Sequence, residues 1–214
     1  RRPRVTYVGT ASGDPRFMNY RVIEAGRVAG FDVTCLDLFP MPNLDDVPGH
    51  LLEADVVWVG GGSVANLLAV WDVHDLRPAM RAAWETGVVL GGVSAGSICW
   101  YLGGCTDSFG PDLRAVTNGL GLLPYGSGVH YDSEESRRPT IHALVGDGTL
   151  PTTHCTDDGV GLVYRGTELV EHARVIVEDA RRQDPLLELG ERQGDAFEAT
   201  EHVGGLPLLR ALVL

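Results

Sequence analysis

A chain of 214 residues is long enough for one sizeable core and short for two, so a single domain over 1–214 is expected. Apolar residues at 44% and charged residues at 21% describe an ordinary globular balance, and a formal charge of −12 argues against a nucleic-acid binder, which needs a basic face. No apolar run reaches membrane-spanning length. The four cysteines, Cys35, Cys99, Cys105 and Cys155, are scattered without a Cys-x-x-Cys pair, which suits reduced thiols of a cytoplasmic protein rather than a disulfide frame or zinc site. Arg1-Arg2-Pro3-Arg4 precedes a strand rather than an apolar signal core, so no secretion signal is expected.

In chain order, Val5–Val8 reads as a first strand that ends in the loop Gly9–Asp14. Arg16–Ala29 carries Phe17, Tyr20, Val22, Ile23 and Val28 near helical spacing, and Gly30 stops it. Phe31–Leu38 is a second strand, and Pro40, Pro42, Asn43 and Pro48 mark a loop. Ala54–Val59 is a continuous apolar strand closed by Gly60-Gly61-Gly62. Val64–Val70 and Leu76–Trp84 read as helices. After about Leu162, the runs Leu162–Tyr164, Leu169-Val170 and Val175–Val177 suggest hairpins, and Glu178–Leu214 carries no functional signal. Strands alternating with helices imply an α/β fold, a mostly parallel sheet covered on both faces, with ligands beyond the strand C-terminal ends.

The informative stretch is Val88–Trp100. An apolar strand, Val88–Leu90, runs into Gly92-Val93-Ser94-Ala95-Gly96, and Ser97–Leu102 is expected to continue as a helix. Strand, Gly-x-Ser-x-Gly turn and helix together form the context of a nucleophile elbow. Small neighbours let the serine occupy strained backbone, and the N–H groups that follow, Ala95 first, are left to face negative charge.

A serine hydroxyl needs a base and a group to orient that base. Of the seven histidines, His130 ends the apolar stretch Leu122–Val129 and precedes Tyr131–Glu135, which reads as a helix start. His142, His154, His50, His74 and His172 lie where structural or solvated roles are expected. Thr156-Asp157-Asp158-Gly159 lies between two β-like runs, so either aspartate can end a strand at the rim, or the pair can simply form a hairpin turn. The order Ser94, His130, Asp158 differs from the Ser–acid–His order of α/β-hydrolases, which would need Asp179 or Asp184 followed by His202.

Gly60-x-Gly62-x-x-Ala65 also fits a dinucleotide fingerprint, but the next strand ends at Ser94 rather than at an acid for a ribose. In a hydrolase the same turn serves differently: the Gly62 N–H pairs with that of Ala95 as an oxyanion hole.

Taken together, Gly60-Gly61-Gly62-Ser63 with Asn66-Leu67-Leu68, Gly92–Gly96, His130–Glu134 and Asp157-Asp158-Gly159 resemble the S51 serine peptidases, which include dipeptidase E and cyanophycinase. The resemblance spans roughly Val5–Val163. It implies a flavodoxin-like three-layer fold similar to class I glutamine amidotransferases, with serine in place of cysteine at the elbow. It implies Ser94 as nucleophile, His130 as base, Asp158 where the family commonly has Glu, and Gly62 and Ala95 as oxyanion donors. Ser63, Thr106 and Arg137 fall at substrate-recognising positions, Ser63 standing where the family usually has Asn. The implied activity is hydrolysis of short peptides, in dipeptidase E after an N-terminal aspartate, by a homodimer that needs no metal or organic cofactor. A guanidinium such as that of Arg137 can grip a carboxylate bidentately; a solvated helix face near Glu134 and Glu135 is the alternative. Asp157 is the alternative to Asp158. The rival activities are a small-molecule esterase or amidase on the same triad, or a ligand-binding homologue with little turnover.

Overall fold

The computed structural model describes residues 1–174 and 211–213. Strand β1 (Arg4–Val8) leads through a short 3-10 turn, Thr10–Ser12, into helix α1 (Arg16–Ala29) and strand β2 (Asp32–Leu36). Helix α2 (Val47–Glu53), strand β3 (Val56–Val59), helices α3 (Val64–Val73) and α4 (Leu76–Glu85), strand β4 (Val89–Gly92) and the one-turn helix α5 (Ala95–Ile98) follow. Then come β5 (Tyr101–Thr106), β6 (Arg114–Val116), β7 (Leu123–Gly128), α6 (Arg137–Gly146), β8 (Thr153–Cys155), β9 (Val160–Arg165), β10 (Glu168–Arg174) and β11 (Ala211–Val213).

The main sheet has the order β10-β9-β11-β4-β3-β1-β2. Its strands β2, β1, β3, β4 and β11 run parallel, and β9 and β10 close one edge antiparallel. Successive side chains alternate between faces, as the pleat requires. Val8, Leu36, Val57 and Val59 point into the larger core under α2–α5, while Tyr7, Cys35 and Trp58 pack on the α1 side with Met18 and Val22. Helices therefore cover both faces, the three-layer α/β arrangement that the alternating strands and helices predict. Because β1, β3 and β4 are parallel, the loops Gly9–Asp14, Gly60–Ser63 and Val93-Ser94 leave the sheet at one rim.

Helix α1 has the expected bounds, and Gly30 ends it at φ 81° with its N–H directed to Arg27 and Gly26 carbonyls. Of the apolar positions at helical spacing, Val22 packs on the sheet and others do not. Phe17 (65%), Tyr20 (72%) and Val28 (75%) are exposed, and Gly26 instead lets Val33 approach. Helix α2 replaces part of the expected loop: Asp46 caps it by accepting from Gly49 N at 2.9 Å, with proline in its first turn.

The larger departure follows the elbow. Ser97–Leu102 does not form one helix. Helix α5 stops at Ile98, and Tyr101 begins β5 of a second, four-stranded sheet ordered β6-β5-β7-β8. Tertiary pairing decides this: the Gly119 and Gly121 N–H groups donate to Leu102 and Tyr101 carbonyls, and Leu122 and Leu123 donate to Trp100. Trp100 then packs against Trp71 with ring centroids 5.7 Å apart. Tyr131–Glu135 is also not a helix start; the chain turns there and α6 begins at Arg137. The expected hairpin is present as β9–β10. The run Val175–Val177 and the alternative pairing of Asp179 or Asp184 with His202 lie outside the described residues.

Among the described residues no helix is long and apolar enough to cross a membrane.

Candidate active site

Ser94 sits between β4 and α5 at φ 54° and ψ −114°, a region that non-glycine residues avoid. The turn is over-determined by its surroundings. Val93 N donates to Val59 O at 3.1 Å, Gly96 N to Val93 O at 2.9 Å, and Ser97 N and Ile98 N to Ser94 O at 2.9 and 3.0 Å. A Cβ on Gly96 would lie 2.1 Å from the Val59 carbonyl oxygen, so only glycine lets the helix start this close to the neighbouring strand.

His130 follows β7 and is itself left-handed, at φ 56°. This conformation turns its ring back over the rim. Ser94 Oγ lies 3.0 Å from His130 Nε2, and His130 Nδ1 lies 2.6 Å from Asp158 Oδ1. With the proton on Nδ1, His130 donates to the carboxylate and its Nε2 accepts from the serine hydroxyl, the tautomer a general base needs. Asp158, not Asp157, meets the histidine; Asp157 closes the turn, its carbonyl accepting from Val160 N at 3.1 Å.

The loop bearing Asp158 is tied to the loop bearing His130. Tyr131 N donates to Thr156 O at 3.0 Å, Thr156 N to Gly128 O at 2.9 Å, and Asp158 N to Asp132 Oδ1 at 2.9 Å. Burial pushes the Asp158 carboxyl up, but hydrogen bonds from His130 and Ser133 and the positive charges of His130 and Arg137 outweigh it, leaving the group below the ordinary carboxylate value.

The triple-glycine loop lies alongside. A Cβ on Gly61 would stand 3.5 Å from Ser94 Cβ. Gly62 has φ 138°, and a Cβ there would meet Ala11 O at 2.4 Å. The Gly60 and Ser63 N–H groups are spent on Val8 O and Ala11 O, both at 2.9 Å, whereas among the described residues no turn hydrogen bond takes those of Gly62 or Ala95. Both loops flank the serine, Gly62 in one and Ala95 directly after Ser94.

The residues expected to recognise substrate form a connected arc. Ser63 caps α3, its hydroxyl accepting from Asn66 N at 3.2 Å. Val64 N donates to Ser108 Oγ at 2.9 Å, and Ser108 Oγ lies 2.7 Å from Thr106 Oγ1. Arg137 Nη1 donates to the carbonyl of the adjoining Cys105 at 3.0 Å. The solvated helix face considered for Arg137 is not what the structure shows: its side chain is only 3% exposed, and its fork is paired with Glu134. Arg138 is the solvent-side member of the pair, lying over the Tyr131 ring and donating to its carbonyl at 3.1 Å. Sequence reasoning missed Ser108, Asp132 and Glu134. Ser108 and Asp132 act through contacts between loops, whereas Glu134 acts through a local i,i+3 pair with Arg137, which the sequence offered only as a solvated helix face.

Of the other histidines, His50 bonds Thr6, His142 bonds Tyr131 and His154 bonds Tyr164. Among the described residues no group of three or more His, Cys, Asp or Glu is placed to hold a metal ion.

A serine in strained backbone at a strand–helix turn of a three-layer α/β fold, within hydrogen-bond reach of a histidine, defines a serine hydrolase. The model of peptidase family S51 matches residues 1–172, and the chain belongs to that family. It is 38% identical over 169 residues to YgaJ, an uncharacterized peptidase of Bacillus subtilis (strain 168), covering 79% of this chain and 72% of that protein. In structure it is similar to a protein of Listeria monocytogenes EGD-e assigned provisionally as a peptidase E, with a TM-score of 0.62, 18% identity and coverage of 81% of this chain and 87% of that one. A peptidase from an acI-B1 Actinobacterium gives a TM-score of 0.58 at 16% identity, covering 80% of this chain and 71% of that one. These two likenesses bear on the fold.

Proposed function

We propose that the chain is a serine dipeptidase that cleaves after an N-terminal aspartate through Ser94, His130 and Asp158. The observation that carries this reading is the continuous line from Ser94 Oγ to His130 Nε2 at 3.0 Å and from His130 Nδ1 to Asp158 Oδ1 at 2.6 Å. Ser94 Oγ attacks the peptide carbonyl carbon as His130 Nε2 takes its proton. The carbonyl oxygen, now negative, is held by the Gly62 and Ala95 N–H groups. The C–N bond breaks as His130 gives that proton to the leaving amine. Water, deprotonated by the same His130, then attacks the acyl ester and releases the acid and Ser94. Asp158 keeps the imidazole oriented and stabilises its protonated form.

Arg137 is assigned the aspartyl carboxylate, with Thr106 and Ser63 along the same arc. The arc joins the oxyanion loop to the His130 loop, which supports a role in seating substrate. One domain over residues 1–214 belongs to this reading. A cytoplasmic setting is supported by the four free thiols, three of them buried. The homodimer rests on the family resemblance alone. The test is kcat/KM for Asp-Leu and Ala-Leu on the wild type and Arg137→Met. The wild type is expected to prefer Asp-Leu and the variant to lose that preference; a wild type indifferent to the aspartate refutes the aspartyl assignment.

A further inference from the structure

Arg137 donates from Nε and Nη2 to the two carboxylate oxygens of Glu134, at 2.9 and 3.0 Å, and from Nη1 to the Cys105 carbonyl. Two parallel bonds from one guanidinium edge are the way arginine reads a carboxylate. The Arg137 side chain is 3% exposed and that of Glu134 is 41% exposed, so Glu134 stands on the solvent side of the pair. Glu134 thus fills, with its own carboxylate, the fork assigned to an acidic substrate side chain. It lies in the turn segment between His130 and α6, where its carbonyl accepts from Arg137 N at 3.0 Å and its side chain stays on the solvent side. Rehydrating so exposed a carboxylate costs little, whereas stripping the buried guanidinium of its partner is expensive. The fork therefore changes partners rather than emptying.

A peptide with N-terminal aspartate brings two charges close together, the side-chain carboxylate and the α-ammonium. If the carboxylate takes the Arg137 fork, the displaced Glu134 is left beside that ammonium. Every charge then remains paired: guanidinium to substrate carboxylate, Glu134 to substrate ammonium. An acylated or internal aspartate offers no ammonium, and Glu134 would be displaced without a partner.

We propose that Glu134 is a specificity-determining residue, the exchangeable counter-ion of Arg137 that reads the free amino terminus of an acidic peptide. The proposal rests on the aspartyl reading above. Its test is kcat/KM for Asp-Leu, N-acetyl-Asp-Leu and Ala-Leu on the wild type and Glu134→Gln, with phosphonate labelling of Ser94 reporting that the nucleophile is assembled. The wild type is expected to favour Asp-Leu over each of the other two by about tenfold or more, the scale of a lost charge-assisted contact. Glu134→Gln is expected to keep the preference over Ala-Leu and to turn over the free and acetylated aspartyl peptides at similar rates. If it still discriminates against the acetylated peptide, or the wild type never does, the proposal is overturned while the aspartyl reading stands. A wild type with no preference for Asp-Leu over Ala-Leu, though labelled at Ser94, removes the aspartyl reading and this proposal with it. Should Glu134→Gln not fold, Glu134→Asp, which keeps the charge on a shorter arm, must show the same discrimination reduced; full discrimination there overturns the proposal.

Discussion

Asp158→Asn isolates what the acid does for the histidine. In the wild type Asp158 Oδ1 accepts from His130 Nδ1 at 2.6 Å, which leaves Nε2 facing Ser94 Oγ as an acceptor. An asparagine amide can instead donate to Nδ1, moving the ring proton to Nε2, where it opposes the serine proton. For a fully buried triad acid this change is worth about 10⁴ in kcat. The Asp158 side chain is 55% exposed, so water screens the part of the effect that comes from stabilising the imidazolium. The tautomer effect is untouched by screening, and the expected loss is about 10³, or ~4 kcal/mol of transition-state stabilisation. Asp157→Asn, whose carboxylate does not meet His130, is expected to stay within about twofold, the range of a surface substitution. The assay is kcat on a single dipeptide for both variants, with Tm measured alongside. Equal, small losses in the two variants would refute the reasoning and leave Asp158 as a turn residue.

Gly96→Ala is expected to destabilise by about 2–3 kcal/mol, as overpacking does, because its Cβ would fall 2.1 Å from Val59 O; a thermal melt that matches the wild type contradicts the described elbow. Ser108→Ala removes the acceptor of Val64 N and the partner of Thr106, two half-buried hydrogen bonds, and is expected to cost about 1–2 kcal/mol of stability and to lower kcat/KM by about tenfold; a variant with wild-type Tm and kcat/KM contradicts the described arc. Asp14 gives a pH signature. Burial raises its carboxyl, against the hydrogen bonds from Leu38 and Phe39 N–H. The folded state therefore holds its proton longer than the unfolded chain does, and this contribution to stability is lost as pH rises from the ordinary carboxylate value through the raised one. Asp14→Asn is expected to flatten Tm against pH in that window; an unchanged profile contradicts it.

The main sheet and the elbow were legible because local signals agree with the fold there. Continuous apolar strands, Gly60–Gly62 and Gly92–Gly96 each mark an element whose place follows from parallel topology. The line from Ser94 through His130 to Asp158 could be anticipated as an order of motifs, but the choice between Asp157 and Asp158 needed the turn geometry. The second sheet was legible only in pieces, as the stretch Leu122–Val129 and the run before Thr156, and not as a sheet. Its strands β5 and β7 carry Gly103, Gly104, Gly126 and Gly128, which lack the side chains that give strands their propensity. Trp100 and Tyr101 read as helix because their pairing partners lie some twenty residues away. Helix α2 hid behind Pro48 and Gly49, although Asp46 followed by a first-turn proline is a start signal. The spacing of apolar residues on α1 did not say which of them pack: Val22 does, together with a close approach at Gly26, while Phe17, Tyr20 and Val28 face solvent.

The most direct test of the account is peptide mapping by mass spectrometry after reaction with a serine-directed phosphonate, run beside dipeptide turnover of the wild type and Ser94→Ala. A single adduct on Ser94, and a variant that folds but loses several orders of magnitude in turnover, is the predicted result. Ser97, 1% exposed and one helical position beyond the elbow glycine, is expected to remain unlabelled. An adduct on Ser97, or near-normal hydrolysis by Ser94→Ala, would contradict the assignment of Ser94 as the nucleophile.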